Sequence, residues 1–150
     1  MERELIKIIK LLNKHRIKYL LIGGVAAVLY GVPRSTFDID IAISMDTESI
    51  SKATSLLLES GFAEKEKLEG GVRLTDGNVE IDLMFIESYK FNFFYEYHKE
   101  LSYKGTLIKM PNIMDLIRMK ESSSREKDKQ DAQYLRIILS SKTTEKMEDK

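Results

Sequence analysis

Residues 37–43 alternate strictly in polarity, and this alternation restricts the fold more than any other stretch of the chain. The odd-numbered positions are large and apolar: Phe37, Ile39, Ile41 and Ile43. The even-numbered positions are Asp38, Asp40 and Ala42. Because successive side chains of a β-strand point to opposite faces, the pattern predicts a half-buried strand with an apolar face in the core and a carboxylate-bearing face turned away from it.

Asp38 and Asp40 are two residues apart and therefore lie side by side on that second face. Two like charges this close repel each other, so a neighbouring cation is expected. Mg²⁺ is usually held by one or two carboxylates together with substrate phosphates, and Mn²⁺ prefers the same oxygen ligands. The alternative is an ordinary strand with a solvated polar face. Aspartate is a poor strand former, which favours the metal site.

Gly23 and Gly24 follow a short apolar strand at residues 19–22 and precede a helix over residues 25–30. Glycines let a phosphate approach the backbone closely, and the free N–H groups of a helix N-terminus attract anions. The pair is therefore a candidate phosphate-binding turn. A simple tight turn without a ligand is the alternative.

Two segments supply further candidates for the same site. Arg34 and Ser35 lie in the loop after Pro33, where they could contact phosphate oxygens or simply belong to a solvated loop. Lys120 continues an apolar helical stripe, so its ammonium could emerge in the site or project outward from the helix end. Asp128 is interpreted as a structural partner of Lys120.

Asp82 is the third carboxylate of interest. Residues 72–75 and 79–85 flank Asp76-Gly77-Asn78, which predicts a β-hairpin. Asp82 lies on the face of the second strand opposite Ile81 and Leu83. If this strand neighbours the one at residues 37–43, Asp82 could bind the same metal and help deprotonate an attacking hydroxyl. Glu80 shares that face as a second candidate, and a solvated face is the alternative for both.

The remaining periodicities predict a single domain over residues 1–140, with a polar, frayed tail at 141–150. Helices are expected at residues 2–15, 25–30, 47–60, 111–122 and 125–139. Lys104-Gly105 indicates a second hairpin, and the aromatic segment 89–98 is left unassigned, with its rings interpreted as core. The hairpins between helices predict an α/β (α+β) fold with a mixed sheet flanked by helices.

Three stretches carry a resemblance to the DNA polymerase β-like nucleotidyltransferase superfamily: LIGGVAAVLYGVPRSTFDIDIAI, VEIDLMF and DLIRMKESSSREKDKQDAQYL. The last stretch is similar to small AbiEii-like and uncharacterised minimal nucleotidyltransferases. The resemblance implies that Gly23 and Gly24 cradle phosphates and that Asp38 and Asp40 bind the metals. It also implies that Asp82 binds one metal and faces the acceptor, while Lys120 approaches the nucleotide.

The chain departs from that pattern at two places. Gly24 replaces a serine present in many members, so a hydroxyl contact to phosphate is absent. The helix after the glycines carries Ala26, Ala27 and Val28, where tRNA CCA-adding enzymes have an Arg-Asp pair. CCA addition is therefore not expected.

Composition excludes several other classes. The chain has no cysteine, which rules out disulfides and thiol chemistry, and its formal net charge is zero, which argues against tight duplex DNA binding. No apolar run reaches membrane-spanning length, and the charged N-terminus does not resemble a signal peptide. A cytoplasmic location is expected.

The leading interpretation is a metal-dependent nucleotidyltransferase that moves a nucleoside monophosphate from an NTP to an acceptor hydroxyl. The acceptor stays open between a protein, a tRNA end and a small molecule, as does a role in a toxin–antitoxin or defence system. The alternative is an NTP-binding regulatory or partner module without turnover. A third interpretation is a domain whose aromatic segment docks a partner protein, and a homo-oligomer also stays open.

Overall fold

The computed structural model describes residues 2–36 and 38–148, with side chains described up to Lys142. The helices are α1 (Glu2–Lys14), α2 (Gly23–Tyr30), α3 (Thr47–Glu59), α4 (Ser88–Glu96), α5 (Ile113–Glu121) and α6 (Glu126–Glu148). The strands are β1 (Leu20–Ile22), β2 (Ile39–Ser44), β3 (Ala63–Leu68), β4 (Gly71–Thr75), β5 (Glu80–Ile86), β6 (Lys99–Tyr103) and β7 (Thr106–Met110).

Five strands form one mixed sheet in the order β1-β2-β5-β4-β3, and β6 pairs with β7 in a separate hairpin. β2 runs parallel to β5, whereas the β1–β2, β3–β4 and β4–β5 pairs are antiparallel. Helices α2, α3 and α4 contact β2, and α6 packs on α2 and α5. The predicted α+β fold with a mixed, helix-flanked sheet and both predicted hairpins are confirmed.

β2 is buried on both faces over most of its length, which corrects the prediction of a half-buried strand. Its three isoleucines belong to the main core. On the opposite face, Ala42 packs with Leu20 and with Phe91 of α4 in a second, smaller cluster. The carboxylate-bearing face is therefore open at the start of the strand, at Asp40, and covered beyond it. Phe37, predicted to begin this strand, lies outside the described residues.

The sequence pattern did not indicate β3 or α4. β3 is the edge strand AEKEKL, exposed except at its half-buried last residue, so it shows no apolar periodicity. α4 buries Phe91, but Phe93 and Tyr97 beside it are 48% and 54% exposed. The interpretation of the aromatic segment as core therefore holds for Phe91 and is wrong for Phe93 and Tyr97.

The two C-terminal helices differ from their predicted bounds. α5 begins at Ile113 rather than Pro111, because the Asn112 side chain caps it by accepting a hydrogen bond from the Asp115 N–H at 2.8 Å. α6 continues beyond Leu139 to Glu148, so most of the predicted frayed tail is helical; residues 149 and 150 lie outside the described range. None of the described helices is long and apolar enough to cross a membrane.

We expect Ile41→Ala to lower the free energy of unfolding by about 2–5 kcal/mol, because truncating a buried isoleucine removes apolar contacts and leaves a cavity. Ile41 is 1% exposed in the central strand β2. Ile137→Ala is the matched control: Ile137 is 61% exposed, and its loss should cost no more than about 0.5 kcal/mol. Urea denaturation of both variants beside the wild type measures the difference, and similar values would contradict the assignment of β2 to the core.

Candidate active site

A cleft of about 430 Å³ opens where the start of β2 lies beside β5. Its walls come from the ends of β1 and β3, the strands β2, β4 and β5, the loop before β2, the start of α2, the helix α5, and the α5–α6 connection with the start of α6. Every segment that the sequence singled out for chemistry contributes to this cleft. We refer to it below as the cleft.

The parallel pairing of β2 and β5 brings the three predicted carboxylates together. Asp40 is the direct register partner of Asp82 across the two strands. Asp38 precedes β2 and lines the same cleft. The structure therefore places Asp38, Asp40 and Asp82 in the wall of one cleft.

Asp40 is held in an environment that disfavours its ionised form. Burial, and after it the neighbouring carboxylates of Asp82 and Asp38, raise the pKa of this carboxyl from its ordinary 3.8 to about 6. Lys120 and Arg125 act in the opposite direction but do not cancel the effect. A cation bound in the cleft would stabilise the carboxylate and so lower the pKa of Asp40 again.

Arg73 neutralises Asp82 from within the protein. Its register position on β4 is directly opposite Asp82. Its Nε and Nη2 donate to the two carboxylate oxygens at 2.7 and 3.0 Å, a bidentate pair. Glu66 and Glu80 also lie near the guanidinium, at 3.3 and 3.6 Å. The sequence analysis missed this partner. Counting outward from the predicted turn at residues 76–78 pairs Arg73 with Ile81, whereas the observed register is one residue longer and sets Arg73 opposite Asp82.

The carboxylates of the cleft can bind a magnesium or manganese ion only together with ligands from a bound substrate. Among the described residues, no group of three or more His, Cys, Asp or Glu side chains is arranged to hold a metal ion alone. Arg73 occupies Asp82, which leaves Asp38 and Asp40 as hard oxygen donors turned to the cleft. Mg²⁺ is commonly bound by one or two carboxylates and completed by substrate phosphates, and this donor set fits that pattern.

The two glycines are required by close approach as well as by turn geometry. Gly23 has a φ of +70°, and a Cβ on it would overlap the Asp40 carboxylate. A Cβ on Gly24 would lie 2.6 Å from Arg34 Nη2 and 2.8 Å from Thr36 Oγ1. α2 begins at these glycines without a side-chain cap. Its first N–H groups therefore remain available beside the carboxylates.

Asp131 holds two cations in the wall of the cleft, Arg34 and Lys120. It is almost fully buried, and it accepts hydrogen bonds from Arg34 Nε and Nη2 at 2.7 and 2.8 Å and from Lys120 Nζ at 2.8 Å. Burial pushes the pKa of Asp131 up, but the hydrogen bonds from Arg34 and Lys120 outweigh it, so the pKa lies below its ordinary value. The carboxylate thus stays charged and fixes both cations.

Lys120 lies where its helical stripe predicted. It is 4% exposed, so its ammonium does not project outward from the helix end. It lines the cleft, and Asp128 is a partner at 3.4 Å, as expected. The shorter contact to Asp131 was missed, although Asp131 follows Asp128 by three residues and falls on the same helical face.

The loop before β2 contributes in a different way from that predicted. Arg34 lines the cleft, but its guanidinium is anchored on Asp131. Ser35 is exposed and is not part of the cleft wall, where Thr36 stands instead. Arg125 and Lys127 also line the cleft. They stand at the connection to α6, where no periodicity marks them.

Adjacent strands bearing carboxylates, a helix that begins at paired glycines and cationic side chains in one cleft are the features expected of a nucleotidyltransferase. The chain belongs to the family described as "Nucleotidyltransferase of unknown function (DUF6036)", which it matches over residues 3–144. No curated protein matches it in sequence.

Solved structures share the fold at low sequence identity. The lincosamide antibiotic adenylyltransferase LnuA, in a lincomycin-bound crystal, is 21% identical with a TM-score of 0.70, covering 92% of this chain and 98% of LnuA. The antigenic nucleotidyltransferase-like protein from Paracoccidioides brasiliensis is 22% identical with a TM-score of 0.61, covering 88% and 72%. ANT(2'')-Ia, in complex with adenylyl-2''-tobramycin, is 18% identical with a TM-score of 0.61, covering 95% and 89%.

We expect Asp40→Asn to stabilise the metal-free protein, with a gain that grows as the pH rises. The folded pKa of about 6 lies above the ordinary 3.8, so ionising Asp40 costs folding free energy as the pH passes from about 4 to 6. Above pH 6 the wild type should be less stable than the variant by up to about 3 kcal/mol. Urea denaturation of both proteins in excess chelator, at pH 4 and at pH 7.5, measures the difference in their free energies of unfolding. The same difference at both pH values would contradict the raised pKa of Asp40.

Proposed function

We propose that this nucleotidyltransferase moves a nucleoside monophosphate from an NTP to an acceptor hydroxyl, with the cleft as its active site. The observation that carries the proposal is the register of β2 against β5. It sets Asp40 beside Asp82 in the cleft that Arg34 and Lys120, the cations anchored by Asp131, also line. Anionic and cationic groups thus share a space of about 430 Å³, which falls within the range of small-ligand sites.

The triphosphate would lie between the start of α2 and the cationic wall. Gly23 and Gly24 line the cleft at the start of α2, where no side chain caps the helix and its first N–H groups could donate to phosphate oxygens. Lys120, Arg125 and Lys127 line the same cleft and would donate charge-assisted hydrogen bonds. Because Asp131 already orients Lys120, little ordering would be needed on binding.

Asp38 and Asp40 would hold a divalent metal, Mg²⁺ or Mn²⁺, together with the phosphates. When bound, this metal would neutralise phosphate charge and polarise the α-phosphoryl group. The two carboxylates repel each other and the triphosphate when no cation is present. Nucleotide binding is therefore expected to require the metal.

Asp82 would orient the acceptor hydroxyl and take its proton. The hydroxyl oxygen would form a bond to the α-phosphorus, the bond from the α-phosphorus to the bridging oxygen would break, and pyrophosphate would leave. Arg73 donates one hydrogen bond to each Asp82 oxygen. Each carboxylate oxygen keeps a further lone pair that can accept a hydrogen bond from the hydroxyl. In this reaction Arg73 would position Asp82 while the acceptor hydroxyl uses the remaining lone pairs.

The acceptor we favour is a small molecule. LnuA was crystallised with lincomycin and ANT(2'')-Ia with adenylyl-2''-tobramycin, which supports a small hydroxylated acceptor over a protein or a tRNA end. We also propose a cytoplasmic location. Whether the chain acts in a toxin–antitoxin or defence system depends on which acceptor is found.

One observation favours a second function, nucleotide binding without turnover in a regulatory module. The bidentate contact of Arg73 uses both oxygens of Asp82. If Arg73 stayed in place and also excluded the acceptor, the chain would bind NTP and release no pyrophosphate.

Incubation with each α-labelled NTP, Mg²⁺ or Mn²⁺ and a panel of hydroxylated acceptors separates these functions. Enzymatic transfer predicts labelled acceptor together with pyrophosphate. It also predicts a loss of turnover of about a hundredfold or more in Asp82→Asn, since a positioned base contributes that much. Nucleotide binding by calorimetry, with no pyrophosphate for any acceptor, would instead support the regulatory module. No nucleotide binding in the presence of metal would overturn both functions.

We expect Lys120→Met to weaken nucleotide affinity at least tenfold, about 1.4 kcal/mol, because it keeps the buried stem and removes the ammonium that lines the cleft. Lys120→Arg should restore affinity in part, since its planar group fits the site differently. Lys129→Met is the control, an exposed lysine on α6 outside the cleft wall. Calorimetry and melting temperature are measured together, and unchanged affinity in a folded Lys120→Met protein would remove Lys120 from the site.

A further inference from the structure

A second cavity, of about 490 Å³, adjoins the cleft at the far end of β5. Along one face of β5, Asp82 lines the cleft, Met84 lines both spaces and Ile86 lines the second cavity alone. Ile22 and Met119 also belong to both walls. The two cavities therefore adjoin at Met84. We refer to the second cavity as the aromatic groove, after Phe93 and Phe94 of α4, which line it.

The groups proposed to bind the triphosphate line the cleft and not the aromatic groove. Gly23, Gly24, Lys120, Arg125 and Lys127 are all on the cleft side. A nucleotide held by them would leave the groove open. Two residues of strand span about 7 Å, so a molecule whose hydroxyl reaches Asp82 would extend its body past Met84 into the groove. The groove therefore occupies the place that an acceptor needs.

The walls of the groove are apolar and adaptable. Phe93 is 48% exposed and meets the edge of Phe94, with ring centroids 5.9 Å apart. Met84 and Met119 supply flexible thioethers on the side that faces the cleft. Small-molecule sites are typically lined in this way, with a few polar groups that fix orientation. The groove is thus suited to a ligand with a ring-bearing apolar body.

The charged groups of the groove are mainly cationic. Lys90 and Arg118 line it with one acid, Asp115. Asp115 is buried, and it accepts from the Asn112 amide at 3.0 Å and from Arg118 at 3.2 Å, so its charge is already matched within the protein. Lys90 forms no salt bridge in the described part of the chain. The uncompensated charge is positive, which attracts an anionic ligand and repels a polycation.

We propose that the aromatic groove binds the acceptor of the transfer reaction, and that this acceptor is a small molecule with a ring-bearing apolar body and an anionic group. The proposal rests on the proposed function of the cleft. It assigns the apolar body to Phe93 and Met119, the anion to Lys90 and the reacting hydroxyl to Asp82. A polycationic aminosugar fits these walls poorly.

Two dyes with the same ring system test the two parts of this assignment on the full chain. 8-Anilinonaphthalene-1-sulfonate carries an anion, and N-phenyl-1-naphthylamine lacks it. Fluorescence titrations are made with the cleft saturated by metal and a non-hydrolysable NTP analogue. We expect Phe93→Ala to weaken both dyes at least fivefold. Lys90→Glu should weaken the sulfonate dye at least fivefold and change the neutral dye less than twofold.

Two matched variants control for general surface effects. Tyr134→Ala removes an equally exposed aromatic residue, on α6, that does not line the groove, and Lys10→Glu reverses an exposed lysine on α1. Neither should change the affinity for either dye. Melting temperature and nucleotide affinity are measured for every variant. Both should match the wild type, because none of the substituted residues contacts the cleft.

The outcomes separate failure of this inference from failure of the proposed function. If Phe93→Ala and Tyr134→Ala bind the dyes equally, or if no dye binds the nucleotide-loaded protein, the groove is not the acceptor site, whatever the nucleotide result. If Lys90→Glu affects both dyes alike, the anionic part is wrong. Displacement of both dyes by tRNA that carries no amino acid would assign the groove to an RNA end and overturn the small-molecule assignment. If the wild type bound no nucleotide in the presence of metal, the proposed function would be wrong.

Discussion

The parallel pairing of β2 with β5 places the Asp40 carboxylate beside that of Asp82 in a partly closed space, and the rest of the site compensates for this repulsion. Burial and the two neighbouring carboxylates raise the pKa of Asp40 to about 6. Arg73 neutralises Asp82 through a bidentate contact. Two adjacent carboxylates in low dielectric are costly unless cations face them, so the sheet supplies one cation and the proposed metal and substrate site would use others.

The second half of the site depends on α5 and α6 rather than on the sheet. Their packing buries Asp131, which fixes Arg34 from the loop before β2 and Lys120 from α5. One carboxylate thus connects three segments that are distant in sequence. Removing a partner from such a buried group leaves uncompensated charge, which is far more costly than losing an exposed ion pair. Stability and the orientation of the cationic wall are therefore coupled through Asp131.

Periodicity predicted most of the sheet because a strand that buries one face has apolar residues at alternate positions. The strand that contains Asp40 and the hairpin that carries Asp82 were both predicted for this reason. The edge strand β3 was missed because it buries almost nothing and has no such pattern. α4 was missed because its aromatic side chains divide between a small core at Phe91 and the exposed wall of the groove at Phe93.

The sequence by itself determined which residues could carry the chemistry: paired glycines, aspartates at strand spacing and a lysine on an apolar helical stripe are all local signals. Only the tertiary structure decided their partners. The strand order brings β5 against β2 and β4, and thereby sets both Asp40 and Arg73 beside Asp82. Local periodicity records which face of an element is buried, but contains no information about which distant element covers it. Partner choice follows from the packing of the whole core.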